Sequence, residues 1–229
     1  MAEVRLPGGP TLSFQEWGRP DGAVVLMLHG LTSSGATWRH VAPALGANFR
    51  VIAPDARGHG RSEWTKDYSL ELMADDVVGF CEQVGILGAI VVGHSMGALT
   101  AYALAARRPD LVRSLVLEEI PPPDPANPPR PLPRQHQPGD DHDWRAVIAV
   151  HRWRNAPPPE WWDMADQILA ETLVISGSKS YLPAKRLEEL CHRLPRGRFA
   201  SVDRGHVPHE ERPSDFLRVV QPFVGYFAK

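Results

Sequence analysis

Four short apolar runs, Val24 to Leu28, Val51 to Ala53, Ala89 to Val92 and Leu115 to Leu117, contain no alternating polar residues. A strand with one face in water alternates, whereas a strand covered on both faces does not, so these runs read as central strands of a parallel sheet. Between and after them lie stretches whose apolar residues recur at helical spacing, among them Leu70 to Val84, Gly97 to Arg107 and Ala184 to Leu194. Strand and helix in alternation demand right-handed crossovers, which predicts an α/β fold with a doubly wound, mostly parallel sheet flanked by helices. Two further strands, Thr172 to Ile175 and Arg198 to Val202, extend the sheet, and Ser214 to Phe227 reads as a closing helix. At the other end, Val4 to Leu6 and Leu12 to Trp17 flank Pro7-Gly8-Gly9-Pro10, the pattern of an opening hairpin.

One stretch breaks the rhythm. Pro121 to Pro159 holds about half of the 23 prolines, and proline removes backbone donors and fixes φ, so a further strand-helix unit is not expected there. Its position between two core strands makes it an insertion above the sheet, with residues 121–165 as a lid and residues 1–120 and 166–229 as the core. A disordered loop is the alternative, but Trp153, Trp161 and Trp162 need a surface to bury against. Asp140-Asp141-His142-Asp143 within it reads as a solvated acidic turn, because no second ligand cluster supports a metal.

The 229 residues are 43% hydrophobic and 23% charged, enough for one domain with a full core. A formal net charge of -2 with both signs dispersed offers no basic face, so nucleic acid is not an expected partner. Met1 to Pro10 has no signal-like pattern, and no run approaches the ~18 apolar residues of a membrane span. A soluble, cytoplasmic protein is therefore expected, with Cys81 and Cys191 as buried thiols. The sequence carries no sign of its oligomeric state.

Gly93-His94-Ser95-Met96-Gly97 is a G-x-S-x-G set between the run Ala89 to Val92 and a helix, the context that a nucleophile elbow requires. The serine must occupy a strained strand-to-helix turn, and glycines on either side let neighbouring chains approach. An acyl-transfer nucleophile also needs two N–H donors for the oxyanion. Met96, at the start of a helix, can supply one, and Leu31 in His29-Gly30-Leu31, just after Val24 to Leu28, can supply the other. His29 itself is expected only to hold that loop. A base must reach Ser95 from elsewhere. Of ten histidines, His206 in Asp203-Arg204-Gly205-His206 follows the last strand and precedes the last helix, with His209 as its rival.

His29-Gly30, Asp55-x-Arg57-Gly58-His59-Gly60-x-Ser62, Gly93-His94-Ser95-Met96-Gly97 and Gly205-His206 together resemble the α/β-hydrolase superfamily. The resemblance spans nearly the whole chain. It implies an eight-stranded, mostly parallel sheet, a small lid after the sixth strand, and a catalytic triad in the order serine, acid, histidine. It also implies that Asp55, Arg57 and His59 are scaffold. The acid departs from the common pattern: Gly177 is followed by Ser178, Lys179 and Ser180, with no carboxylate. A second arrangement, seen in haloalkane dehalogenases, places the acid at the end of the sixth strand, where Glu118-Glu119 stands. Alignment on that pattern favours Glu119, with Glu118 as the alternative; Asp203, Asp163 and Asp166 are less well placed.

The resemblance thus implies a serine hydrolase acting on a small ester-like substrate through an acyl-enzyme, with Ser95, His206 and Glu119 catalytic. Thioesterase, lactonase or carbon–carbon bond hydrolase chemistry would use the same triad, and a catalytically idle ligand-binding protein is the alternative of another class. Ser95 in place of an aspartate excludes the alkyl-enzyme chemistry of dehalogenases and epoxide hydrolases. No nucleotide or metal motif is present, and neither cofactor nor metal is expected. Trp38, Trp144, Trp153, Trp161 and Trp162 suggest an apolar or aromatic substrate group.

Overall fold

The computed structural model describes residues 1–227. In chain order its elements are β1 (Ala2–Arg5), β2 (Thr11–Gly18), β3 (Val24–Leu28), a 3-10 turn (Gly35–His40), α1 (Ala42–Gly46), β4 (Arg50–Pro54), α2 (Leu70–Val84), β5 (Ala89–His94), α3 (Met96–Arg107), β6 (Val112–Glu118), α4 (Trp144–Asn155), a 3-10 helix (Pro159–Gln167), β7 (Glu171–Gly177), α5 (Ala184–Arg193), β8 (Gly197–Val202), α6 (Pro208–Glu211) and α7 (Pro213–Gly225). The strands form one sheet in the order β1-β2-β4-β3-β5-β6-β7-β8. The hairpin β1–β2 joins antiparallel to β4, and every pairing from β4 through β8 is parallel.

The unalternating runs are strands covered on both sides. In β3, Val25 and Met27 pack into one layer with Trp38, Phe216 and Val220, while Leu26 and Leu28 pack into the other with Phe80, Leu99 and Tyr102. Successive side chains of a strand point to opposite faces, so a strand between two helical layers must be apolar at every position. β3 lies between β4 and β5, so the chain leaves it first to one side and then to the other. At such a reversal the loops after neighbouring strands diverge and leave a crevice at the carboxyl ends of the strands. The loops after β3 and β5 are the ones that carry Leu31 and Ser95.

The insertion between β6 and β7 contains one element that its proline content obscured. Within it the prolines lie before residue 139 and after residue 156, and the proline-free stretch between forms α4. Asp143 caps α4 by accepting from the Arg145 N–H at 3.0 Å. Asp143 is also buried, accepting from Tyr68 Oη at 2.8 Å and from the Arg145 guanidinium, so the expected solvated acidic turn is in fact partly interior. Trp161 stacks on Tyr102 of α3 with ring centroids 4.6 Å apart and tethers the insertion to the core. Among the described residues no helix is long and apolar enough to cross a membrane, and Cys81 and Cys191 are buried and unbridged.

Candidate active site

Ser95 stands between β5 and α3 with φ 50°, a region a non-glycine residue rarely adopts. Its neighbours permit the bend. A Cβ on Gly93 would lie 2.5 Å from the Gly97 carbonyl oxygen, and one on Gly97 would overlap the Leu28 carbonyl. Besides Ser95, the non-glycine residues with positive φ among the described residues are Thr32 (61°) and Glu119 (52°). All three are at the carboxyl edge of the sheet, so backbone strain gathers where the candidate chemistry is.

Ser95 Oγ lies 3.1 Å from His206 Nε2. His206 Nδ1 lies 2.7 Å from Glu119 Oε2, so Nδ1–H donates to the carboxylate and leaves Nε2 free to accept from Ser95. Glu119 is wholly buried, and its oxygens also accept from the Gly177 N–H at 2.6 Å and from Ser180 Oγ. The loop after β7 thus supplies donors to a carboxylate from β6, in place of a carboxylate of its own. Leu31 and Met96 line the same cavity as Ser95. Met96 opens α3, where N–H groups have no intrahelical acceptor.

Glu118, the alternative acid, does not face His206. Its Oε1 accepts from the His209 N–H at 2.9 Å and its Oε2 meets His209 Nδ1 at 2.6 Å. His209 Nε2 meets Thr37 Oγ1 at 2.8 Å, while that hydroxyl donates to Glu210 Oε1 at 2.6 Å. Thr37 has one proton and has given it to Glu210, so His209 must donate from Nε2. With His209 neutral, its Nδ1 accepts from a protonated Glu118. Burial drives both groups the same way, pushing Glu118 up to about 7 and His209 down to about 3. The rival histidine and the rival carboxylate therefore satisfy each other beneath the site and pin the His206 loop to β6.

The remaining histidines of the motifs hold loops. His29 Nδ1–H donates to the Gly30 carbonyl at 2.7 Å and its Nε2 accepts from the Ala56 N–H at 2.9 Å, and burial lowers its pKa to about 4. His94 Nε2–H donates to the His206 carbonyl at 2.8 Å, tying the elbow to the histidine loop. Asp55 accepts from the Gly35 and Arg61 N–H groups, and Arg57 forms a buried two-point ion pair with Asp76. Among the described residues, His94, Glu118 and His209 bring metal-ligating atoms within 4.8 Å of one another. Internal hydrogen bonds engage the facing atoms of Glu118 and His209, which makes this cluster a closed polar network.

A cavity of about 520 Å³ opens over Ser95. Trp38, Trp144, Trp153, Trp161 and Trp162, the basis for expecting an apolar or aromatic substrate group, do not line it. Trp38 is buried below the sheet edge, stacked on His209 with centroids 4.1 Å apart, and Trp153 and Trp162 pack edge-on against Trp161. The tryptophans seat the insertion and core. Instead, α4 presents Val147, Val150, His151 and Arg154 to the cavity, and Arg130 and Tyr181 join them. Tyr181 Oη lies 3.2 Å from His206 Nε2. Sequence reasoning missed these residues because neither the Arg130 loop nor the Tyr181 loop has a motif. Only the i, i+3, i+4, i+7 spacing along α4 could have signalled a common face.

The family model for the alpha/beta hydrolase fold matches residues 23–152. The AB hydrolase superfamily protein YfhM of Bacillus subtilis is 36% identical over 119 residues, 50% of this chain and 42% of that protein. The chain spans less than half the length of the curated relatives it matches; other such relatives include a diacylglycerol lipase and epoxide hydrolases. Among solved structures, a thermophilic esterase from Thermogutta terrifontis superposes with TM-score 0.86 at 23% identity over 100% of both chains. The enol-lactonase of Burkholderia xenovorans LB400 gives TM-score 0.84 at 24% identity over 98% of this chain and 100% of that one. At these identities the structural likeness concerns the fold.

Proposed function

Because the chain belongs to the alpha/beta hydrolase fold family, we propose that it is a serine hydrolase cleaving a small carboxylic ester or related acyl compound through an acyl-enzyme. The observation that carries this reading is the unbroken line Ser95 Oγ, His206 Nε2, His206 Nδ1, Glu119 Oε2, with steps of 3.1 and 2.7 Å between residues. In the first half-reaction Ser95 Oγ bonds to the carbonyl carbon as its proton passes to His206 Nε2. Glu119 stabilises the imidazolium, and the oxyanion rests on the Leu31 and Met96 N–H groups. Collapse breaks the bond to the alcohol, which leaves with the proton from His206. Water, deprotonated by the same imidazole, attacks the acyl carbon and releases the acid and the free serine.

The insertion acts in this reading as a lid, with α4 closing one side of the cavity. Thioester, lactone and carbon–carbon substrates would use the same groups, and the pocket decides among them. The test is labelling with a fluorophosphonate probe followed by assay of 4-nitrophenyl butyrate. We expect Ser95 to carry the label and Ser95→Ala to lose about 10⁴-fold or more in kcat. A Ser95→Ala protein that retains its full rate would sink the proposal.

A further inference from the structure

The cavity over Ser95 carries two guanidinium groups that the mechanism does not use. Arg130 and Arg154 both line it, and among the described residues neither has a carboxylate within ion-pair distance. The cavity's own acidic side chain, Glu210, is already engaged by Thr37 at 2.6 Å and faces Arg39 at 3.9 Å. Arg130 lies over the ring of Tyr181 at 5.0 Å from its centroid. The Arg154 guanidinium lies beside the hydroxyl of the same tyrosine. Burial, and the like charge of Arg130 beside it, depress the pKa of Arg154, the signature of a cation held without its counter-ion. Placing two partly buried like charges side by side is costly unless an anion visits them.

Resting on the hydrolase reading above, we infer that Arg130 and Arg154 form an anion subsite and that the substrate carries a carboxylate a short distance from its scissile carbonyl. The distance follows from contacts. Arg154 neighbours Tyr181, Tyr181 Oη is 3.2 Å from His206 Nε2, and that nitrogen is 3.1 Å from Ser95 Oγ. Two hydrogen-bond lengths and one side-chain contact put the guanidinium within about 10 Å of the nucleophile. A carbonyl near contact with Oγ and a carboxylate on the guanidinium then leave room for a linker of a few carbons or one aromatic ring. Val150 and Val147, one and two turns earlier on α4, provide an apolar wall for that linker, while Arg154 lies at the far end of the same face. A fork of N–H donors matches a carboxylate in two-point geometry, which favours two arginines over lysines in this place.

The test compares substrates matched in shape and differing in charge: mono-4-nitrophenyl glutarate against 4-nitrophenyl pentanoate, and 4-acetoxybenzoate against 4-acetoxybenzamide. The first pair puts the carboxylate on the acyl side, the second on the leaving group. We expect kcat/KM to favour the charged member of at least one pair by tenfold or more. That ratio should fall at least tenfold in Arg154→Met and in Arg130→Met, and shrink as salt is added. Arg134→Met, which removes an exposed cation of the same insertion that does not line the cavity, should leave the ratio as it is. A ratio near one in both pairs, or a preference that survives both cavity variants, overturns the subsite while fluorophosphonate labelling of Ser95 leaves the hydrolase reading intact. Should no ester be cleaved and Ser95 stay unlabelled, the hydrolase reading fails, and calorimetric titration with glutarate decides the subsite separately. Binding lost in Arg154→Met supports it, and no binding to the unaltered protein overturns it.

Discussion

Glu118 and Glu119 are adjacent in the chain and equally buried, yet their surroundings separate them completely. Glu119 has φ 52°, a turn that swings it away from the strand direction and toward His206. Glu118 ends β6 in register and faces His209. Two substitutions read the difference. Glu119→Gln should lower kcat by about 10³- to 10⁴-fold, because the amide cannot stabilise the imidazolium and imposes the wrong tautomer. Glu118→Gln should be nearly silent in turnover and cost under about 1 kcal/mol in thermal unfolding, because an amide can copy a neutral carboxyl, accepting from the His209 N–H and donating to Nδ1. If Glu118 were an ionised partner, the same change would cost about 3–5 kcal/mol, so calorimetry on this one variant discriminates the two protonation states.

At the level of elements, the site depends on how closely three segments meet. β5 and α3 are joined by a turn so tight that Gly97 packs against the backbone after β3, with no space for a side chain. Gly97→Ala should therefore displace α3 and the elbow together, which would show as insoluble protein or as an unfolding midpoint lowered by many degrees. α4 is held less directly. Its insertion rests on Trp161, buried between Tyr102 and two further tryptophans. Trp161→Ala should cost about 3–5 kcal/mol if the insertion and core unfold together. If instead the insertion loosens first, limited proteolysis will cut near residues 124–140 while the sheet stays folded, and unfolding will lose its single transition.

For the molecule as a whole, the buried imidazoles set the response to acid. Burial holds His29 at about 4, and His59, His94 and His209 at about 3, against an ordinary value near 6.5. A histidine whose folded pKa is depressed stabilises the fold above pH 6.5, and that contribution is lost as pH falls through the depressed value. Glu118, raised to about 7, has the opposite sign and gains as pH falls from 7 toward 4.5. Among these five groups the balance is a net uptake on the order of three protons on unfolding near pH 5.5, with Asp76, also raised by burial, acting on the same side as Glu118. We expect the unfolding temperature to drop steeply between pH 6.5 and 5, as scanning calorimetry would show. A flat profile over that range would mean that the imidazoles are not buried in neutral form.

Hydrophobic pattern is a local property, and it sufficed for the sheet: Val24 to Leu28 and Leu70 to Val84 are the observed bounds of β3 and α2. Ser95 was also legible, because its strained turn requires glycines on both sides in the sequence itself. Proline content marked the insertion correctly as outside the sheet but left its helix unread, because an average over the segment concealed the proline-free stretch that forms α4. Beyond the elbow, the oxyanion loop and His206, the wall of the cavity was not legible. Tyr181, Arg130 and Arg154 come from three stretches without motifs and meet only when the insertion folds back over the elbow. The pairing of Glu119 with His206 and of Glu118 with His209 was likewise decided in space, since two adjacent carboxylates are distinguished by a backbone dihedral and by the loops they meet, neither of which a linear pattern encodes.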